Sequence, residues 1–113
     1  MDSIPKAEIL PGTLDLMILQ TVAVLGPLHG YAIAARLEQV SDGALQLNMG
    51  TLYPGLVRLE HQGFLRACWD VTETNRKARF YSLTESGRRR LEAERAGWER
   101  TASIMRRLLE ELR

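Results

Sequence analysis

A single cysteine, Cys68, stands in the whole sequence, so no intrachain disulfide can form. Only two histidines are present, His29 and His61; with one cysteine and this separation they give neither a zinc-binding spacing nor a catalytic set. No apolar run is long enough to cross a bilayer: the longest, Leu14 to Pro27, is broken by Asp15, Gln20 and Thr21. The first residues, Met1-Asp2-Ser3-Ile4-Pro5-Lys6, lack the basic and apolar segments of a signal peptide. Gly26 to Gly30 has neither the lysine nor the spacing of a phosphate-cradling loop. These absences predict a soluble cytoplasmic protein with no metal, no cofactor and no enzyme chemistry, in which Cys68 is a bystander.

What is present suits one small domain. The chain has 113 residues, 45% hydrophobic and 26% charged, enough for one core and too short for two domains and a linker. A second copy would extend that core, which favours a homodimer. The formal net charge is only +1, yet thirteen of the fifteen Lys and Arg lie after residue 57, with nine of the fourteen acids. Between residues 75 and 90, Arg76, Lys77, Arg79, Arg88, Arg89 and Arg90 face one acid, Glu85. Such clustering suits a polyanion-binding surface; taken alone, it equally suits a solvated face.

Hydrophobic spacing predicts three helices, two strands and a long last helix. Thr13 is read as the cap of a helix from Leu14 to about Leu25, stopped by Gly26-Pro27. Its apolar residues, among them Leu14, Met17, Ile18 and Leu19, cover nearly every side, so it needs partners in its own domain and in another subunit. Gly30 to Val40 forms a second helix with Ile33, Leu37 and Val40 inward. Asn48 caps a third, in which Leu52, Leu56 and Leu59 point inward and Gly63 closes the run. The period then falls to two. Leu65, Ala67, Trp69 and Val71 alternate with polar or small residues as a half-buried strand, and Arg79 to Leu83 returns beside it. Thr84 caps the last helix, which runs to Leu112. Leu91, Trp98, Met105 and Leu112 recur every seventh position, and Ala102, Leu108 and Leu109 widen that seam, which suggests a partner helix.

The predicted fold is therefore mainly α with a small two-stranded β-hairpin. Residues 1–83 form a winged helix-turn-helix and residues 84–113 a C-terminal dimerisation helix, the two making one compact unit. The third helix is the candidate reader of a major groove. Opposite its leucines lie Gly50, Thr51, Pro54, Arg58 and His61, with Tyr53 at the flank and Asn48 at the start. Small residues there allow close approach to a duplex, and Thr51 and Tyr53 can reach phosphates. Asn75, Arg76, Lys77 and Arg79 are expected to project from the hairpin as a second, cationic element.

Several stretches resemble the PadR family of bacterial transcriptional regulators. They are Leu14-Asp15-Leu16 with Ile18-Leu19, His29-Gly30-Tyr31, Gly50-Thr51-Leu52-Tyr53-Pro54, Arg58-Leu59-Glu60, Arg76-Lys77-Ala78-Arg79-Phe80-Tyr81, Leu83-Thr84-Glu85-Ser86-Gly87, and Trp98. The resemblance covers about residues 9–112, and the single long last helix looks like the compact subgroup. It implies a winged-helix homodimer, usually a repressor, on a pseudo-palindromic operator. Tyr31, Thr51, Tyr53, Lys77 and Arg79 become DNA contacts. Leu14, Met17 and Ile18 of the first helix, with Leu91, Trp98, Ala102, Met105, Leu109 and Leu112 of the last, make the dimer, where some members bind a planar hydrophobic effector. Gly55 stands where alanine is more usual, and Arg95 near the seam departs from a purely apolar pocket. The competing reading is a helical protein-interaction module without DNA binding.

Overall fold

The computed structural model describes residues 12–111. The order is α1 (Thr13–Leu25), β1 (Leu28–His29), α2 (Gly30–Val40), α3 (Met49–His61), β2 (Leu65–Val71), β3 (Lys77–Leu83) and α4 (Glu85–Glu110). The strands form an antiparallel sheet ordered β1-β3-β2. The predicted hairpin is thus a three-stranded sheet: Leu28 pairs with Tyr81 and His29 with Phe80. Two residues are too few to show a period of two, so this strand is invisible in the sequence.

Local chemistry sets the helix ends. Asn48 accepts the Thr51 N–H at 2.9 Å through its side chain, and Thr84 accepts that of Gly87 at 2.9 Å, as their residue types predict. His29 takes the same place for α2, its Nδ1 accepting from Ala32 N–H. At α1 the prediction is corrected: the helix already includes Thr13, and Gly12, with φ of 86°, occupies the capping position without a side-chain bond. A left-handed backbone costs glycine nothing there. α3 passes through Pro54 without interruption, although the ring removes the donor that would meet the Gly50 carbonyl.

The core is one cluster formed by Ile18, Leu19, Val22, Ile33, Leu37, Leu52, Leu56, Leu59, Leu65, Tyr81 and Leu91. The leucine stripe of α3 lies in it as predicted. Three expectations are corrected. Val40, expected inward, is 66% exposed at the end of α2. Trp69 and Val71 share a sheet face with the buried Leu65, yet both are exposed, because the hairpin overhangs the body beyond Ala67. Ile18 and Leu91, assigned to the dimer seam, are 0% and 3% exposed within the chain itself and have no surface left for a partner. Apolar spacing alone does not separate a domain's own core from an interface.

Three bonds fasten the start of α4 to the corner between α3 and β2. Thr84 Oγ1 and Ser86 Oγ donate to the Gly63 carbonyl at 2.6 and 2.9 Å, and Thr84 N–H donates to the Phe64 carbonyl at 3.1 Å. α4 also packs on α1 and continues past the body as a helix of 26 residues. No helix among the described residues is long and apolar enough to cross a membrane.

Candidate nucleic-acid interface

α3 turns Leu52, Leu56 and Leu59 into the core, so Asn48, Gly50, Thr51, Tyr53, Pro54, Arg58 and His61 are left on its exposed side. Gly55, which stands where alanine is more usual, is buried: a Cβ there would sit 3.3 Å from the Ile18 Cδ1. A glycine at this position lets α3 lie close to α1. Tyr31 stands beside α3 at the start of α2 and is 72% exposed. Arg58 does not extend freely; it pairs with Asp15 of α1.

The hairpin tip is built by its own polar groups. Thr72 N–H donates to the Arg76 carbonyl and Asn75 N–H to the Thr72 carbonyl, both at 2.8 Å, and the Arg76 N–H reaches Thr72 Oγ1 at 3.2 Å. Asn75 takes a left-handed φ of 64°, which its residue type tolerates. Asn75, Arg76 and Lys77 are exposed here, with Lys77 already the first residue of β3, opposite Val71. Neither Arg76 nor Lys77 joins an ion pair among the described residues.

Arg79 behaves differently from the projecting cation predicted. It lies opposite Trp69, well back from the tip, and its Nη2 donates to Glu60 Oε2 of α3 at 2.8 Å. Its guanidinium carbon is 5.8 Å from the Trp69 ring centroid. Beneath this layer Tyr81 is buried, and that burial, assisted by nearby Tyr53, holds its hydroxyl above the usual tyrosine range, so it stays un-ionised.

These parts meet in a cleft of about 250 Å³ lined by Tyr31 from α2, Met49 and Tyr53 from α3, and Trp69, Lys77 and Arg79 from the hairpin. Glu60 and Trp69 escaped sequence reading. Trp69 was assigned inward by alternation, and Glu60 gives no sign in the sequence of a partner nineteen positions away.

On the far side, Trp98 is 48% exposed, and Ile104, Met105, Leu108 and Leu109 are exposed along α4, with Ala102 half-buried. Ile104 was not among the predicted seam residues. Leu14 and Met17 are half-buried on α1. Leu112 lies outside the described residues. Leu16, Met17 and Gln20 of α1 and Arg95, Trp98 and Glu99 of α4 line an open groove of about 310 Å³. Among the described residues no group of three or more His, Cys, Asp or Glu is placed to hold a metal.

Comparison with known proteins agrees with this fold. Residues 18–93 match the transcriptional regulator PadR-like family. A stretch of 69 residues is 45% identical to an uncharacterized 37.1 kDa transposon protein of Streptomyces fradiae. That match takes in 61% of this chain and 18% of the other, so the chain spans less than a fifth of the curated relative's length. A transcriptional regulator from Clostridium thermocellum superposes with a TM-score of 0.76 at 25% identity, covering 85% of this chain and 89% of its own. A PadR family transcriptional regulator from Eggerthella lenta gives 0.73 at 32% identity, covering 88% and 83% respectively. A PadR-like transcriptional regulator from Bacillus cereus gives 0.75 at 21% identity over 87% and 92%, a likeness of fold alone.

Proposed function

Since this chain belongs to the PadR-like family of transcriptional regulators, we propose that it is a cytoplasmic repressor that binds a pseudo-palindromic operator as a homodimer. One observation carries the reading: residues of α2, α3 and the hairpin converge on a single cleft, with Tyr31, Tyr53 and Lys77 on its walls. In this arrangement α3 enters a major groove by its small-residue start, Gly50 and Thr51. The hairpin cations reach the neighbouring phosphates or the minor groove. The exposed apolar residues of α4 join two copies, so that two reading helices meet successive half-sites about 34 Å apart. A protein-interaction module without DNA binding would leave this cleft without a purpose.

Arg76 and Lys77 are exposed and join no ion pair among the described residues, so their charge is available to phosphates. The double variant Arg76→Ala/Lys77→Ala is expected to weaken binding to all duplexes alike. The log–log dependence of affinity on salt should become shallower by about 0.9 for each lost phosphate contact. Fluorescence anisotropy at several salt concentrations measures both, and an unchanged slope would remove the tip from the interface.

The groove beside Trp98 supports an effector reading as well. A half-exposed indole over an open groove suits a flat apolar compound. Aromatic compounds that act there are expected to quench emission in a Trp69→Phe variant and to leave Trp98→Phe emission unaltered. Absence of quenching across a panel of planar aromatics would leave the indole a packing residue.

A further inference from the structure

We propose that Arg79 is a positioning residue: with Glu60 and Trp69 it braces the hairpin against the reading helix, and it makes no DNA contact of its own. The inference rests on the DNA-binding role set out above. The core and β1 hold β3 as far as Tyr81 and Phe80, but beyond Ala67 on the paired strand Trp69 and Val71 are exposed, so the outer half of the hairpin has no core beneath it. The polar link across the gap is the bond from Arg79 Nη2 to Glu60 Oε2, 2.8 Å long and between side chains 35% and 28% exposed. Cross-strand pairing sets Trp69 directly opposite Arg79 and places the guanidinium beside the indole ring.

Charge and access both point the same way. A guanidinium that neutralises a carboxylate and lies beside an indole offers little net charge to a phosphate. Its Nε is buried and has no hydrogen-bond partner among the described residues, so that edge of the group is withdrawn from any ligand. Arg76 and Lys77, three and two positions earlier, are exposed and join no ion pair among the described residues. A hairpin held at a fixed angle meets the duplex ready-formed. A loose one must be ordered on binding, which lowers affinity without altering how many phosphates are neutralised.

The two roles predict opposite signs at Glu60. If Arg79 gripped a phosphate, Glu60 would compete with the DNA, and Glu60→Ala would strengthen binding. As a brace, Glu60→Ala and Arg79→Ala both weaken binding, each by about tenfold, with the salt slope unchanged. Arg79→Lys separates the roles again, since lysine can meet a phosphate but cannot span both Glu60 and Trp69 in the same way; it is expected to weaken binding like the alanine variant. Tighter binding by Glu60→Ala, or a slope made shallower by about 0.9 per copy in Arg79→Ala, overturns the proposal.

A DNA-free measurement keeps this test separate from the functional reading. In a Trp98→Phe background Trp69 is the only tryptophan, and adding Glu60→Ala is expected to shift its emission and its quenching by acrylamide. Emission unmoved by Glu60→Ala overturns the brace whether or not any duplex is bound. A shifted emission together with a wild-type protein that binds no duplex keeps the brace and removes the DNA-binding role.

Discussion

Gly87→Ala is expected to cost about 3 kcal/mol or more of folding stability. A Cβ at this position would lie 2.1 Å from the Phe64 carbonyl oxygen and 2.9 Å from Leu83 Cδ1. The leucine methyl can turn away. The carbonyl cannot do so freely, because it accepts the Thr84 N–H and lies next to Gly63, whose carbonyl holds Thr84 and Ser86. Relief therefore requires the first turn of α4 to lift off the α3–β2 corner and draw Leu91 from the core. Alanine's better helix propensity offsets roughly 1 kcal/mol of this at most. Against a total of roughly 5–15 kcal/mol for a domain, the loss is large. Urea unfolding followed by circular dichroism measures it. A loss below about 1 kcal/mol would mean that the close packing of α4 on this corner contributes little to the fold.

The second large effect concerns assembly. Met105 and Leu109 are one helical turn apart on α4, 49% and 56% exposed in the single chain. Met105→Glu/Leu109→Glu should leave the chain folded and put two carboxylates into the proposed interface of each copy, where burial of unpaired charge costs several kcal/mol. The variant is expected to sediment as a monomer at micromolar concentration. Its operator affinity is expected to fall by about a hundredfold or more, because the second half-site contact is no longer made within one particle. A variant that remains dimeric would place the interface elsewhere. A monomer with undiminished affinity would remove the dimer from the mechanism.

Much of this architecture is legible in the residues. Asn48 and Thr84 announce their helices because a side-chain acceptor before an apolar run satisfies an exposed backbone donor. Leu52, Leu56 and Leu59 announce the buried face of α3 by spacing. The failures share a physical cause: local patterns do not report what lies across space. Leu28–His29 joins the sheet through pairing with Tyr81 and Phe80, more than fifty positions away. The alternation of Trp69 and Val71 gives the correct sheet face, but burial needs an opposing body, and the hairpin has outrun it. The heptad containing Leu91 is continuous in sequence, yet its first member packs in the chain's own core. Among the site residues, the exposed face of α3 and the cations of the tip follow from wheel and turn. Arg79 was expected to project from the tip because composition counts a charge without showing its partner, Glu60.

The measurement closest to the central claim is a hydroxyl-radical footprint of the wild-type protein on the intergenic DNA beside its own gene, with the mass of the complex measured by light scattering. Two protected patches of equal strength, centred about one helical turn apart and bound by two chains, are the predicted result. A single patch held by one chain, or intact mass and no protection at low salt, would contradict it.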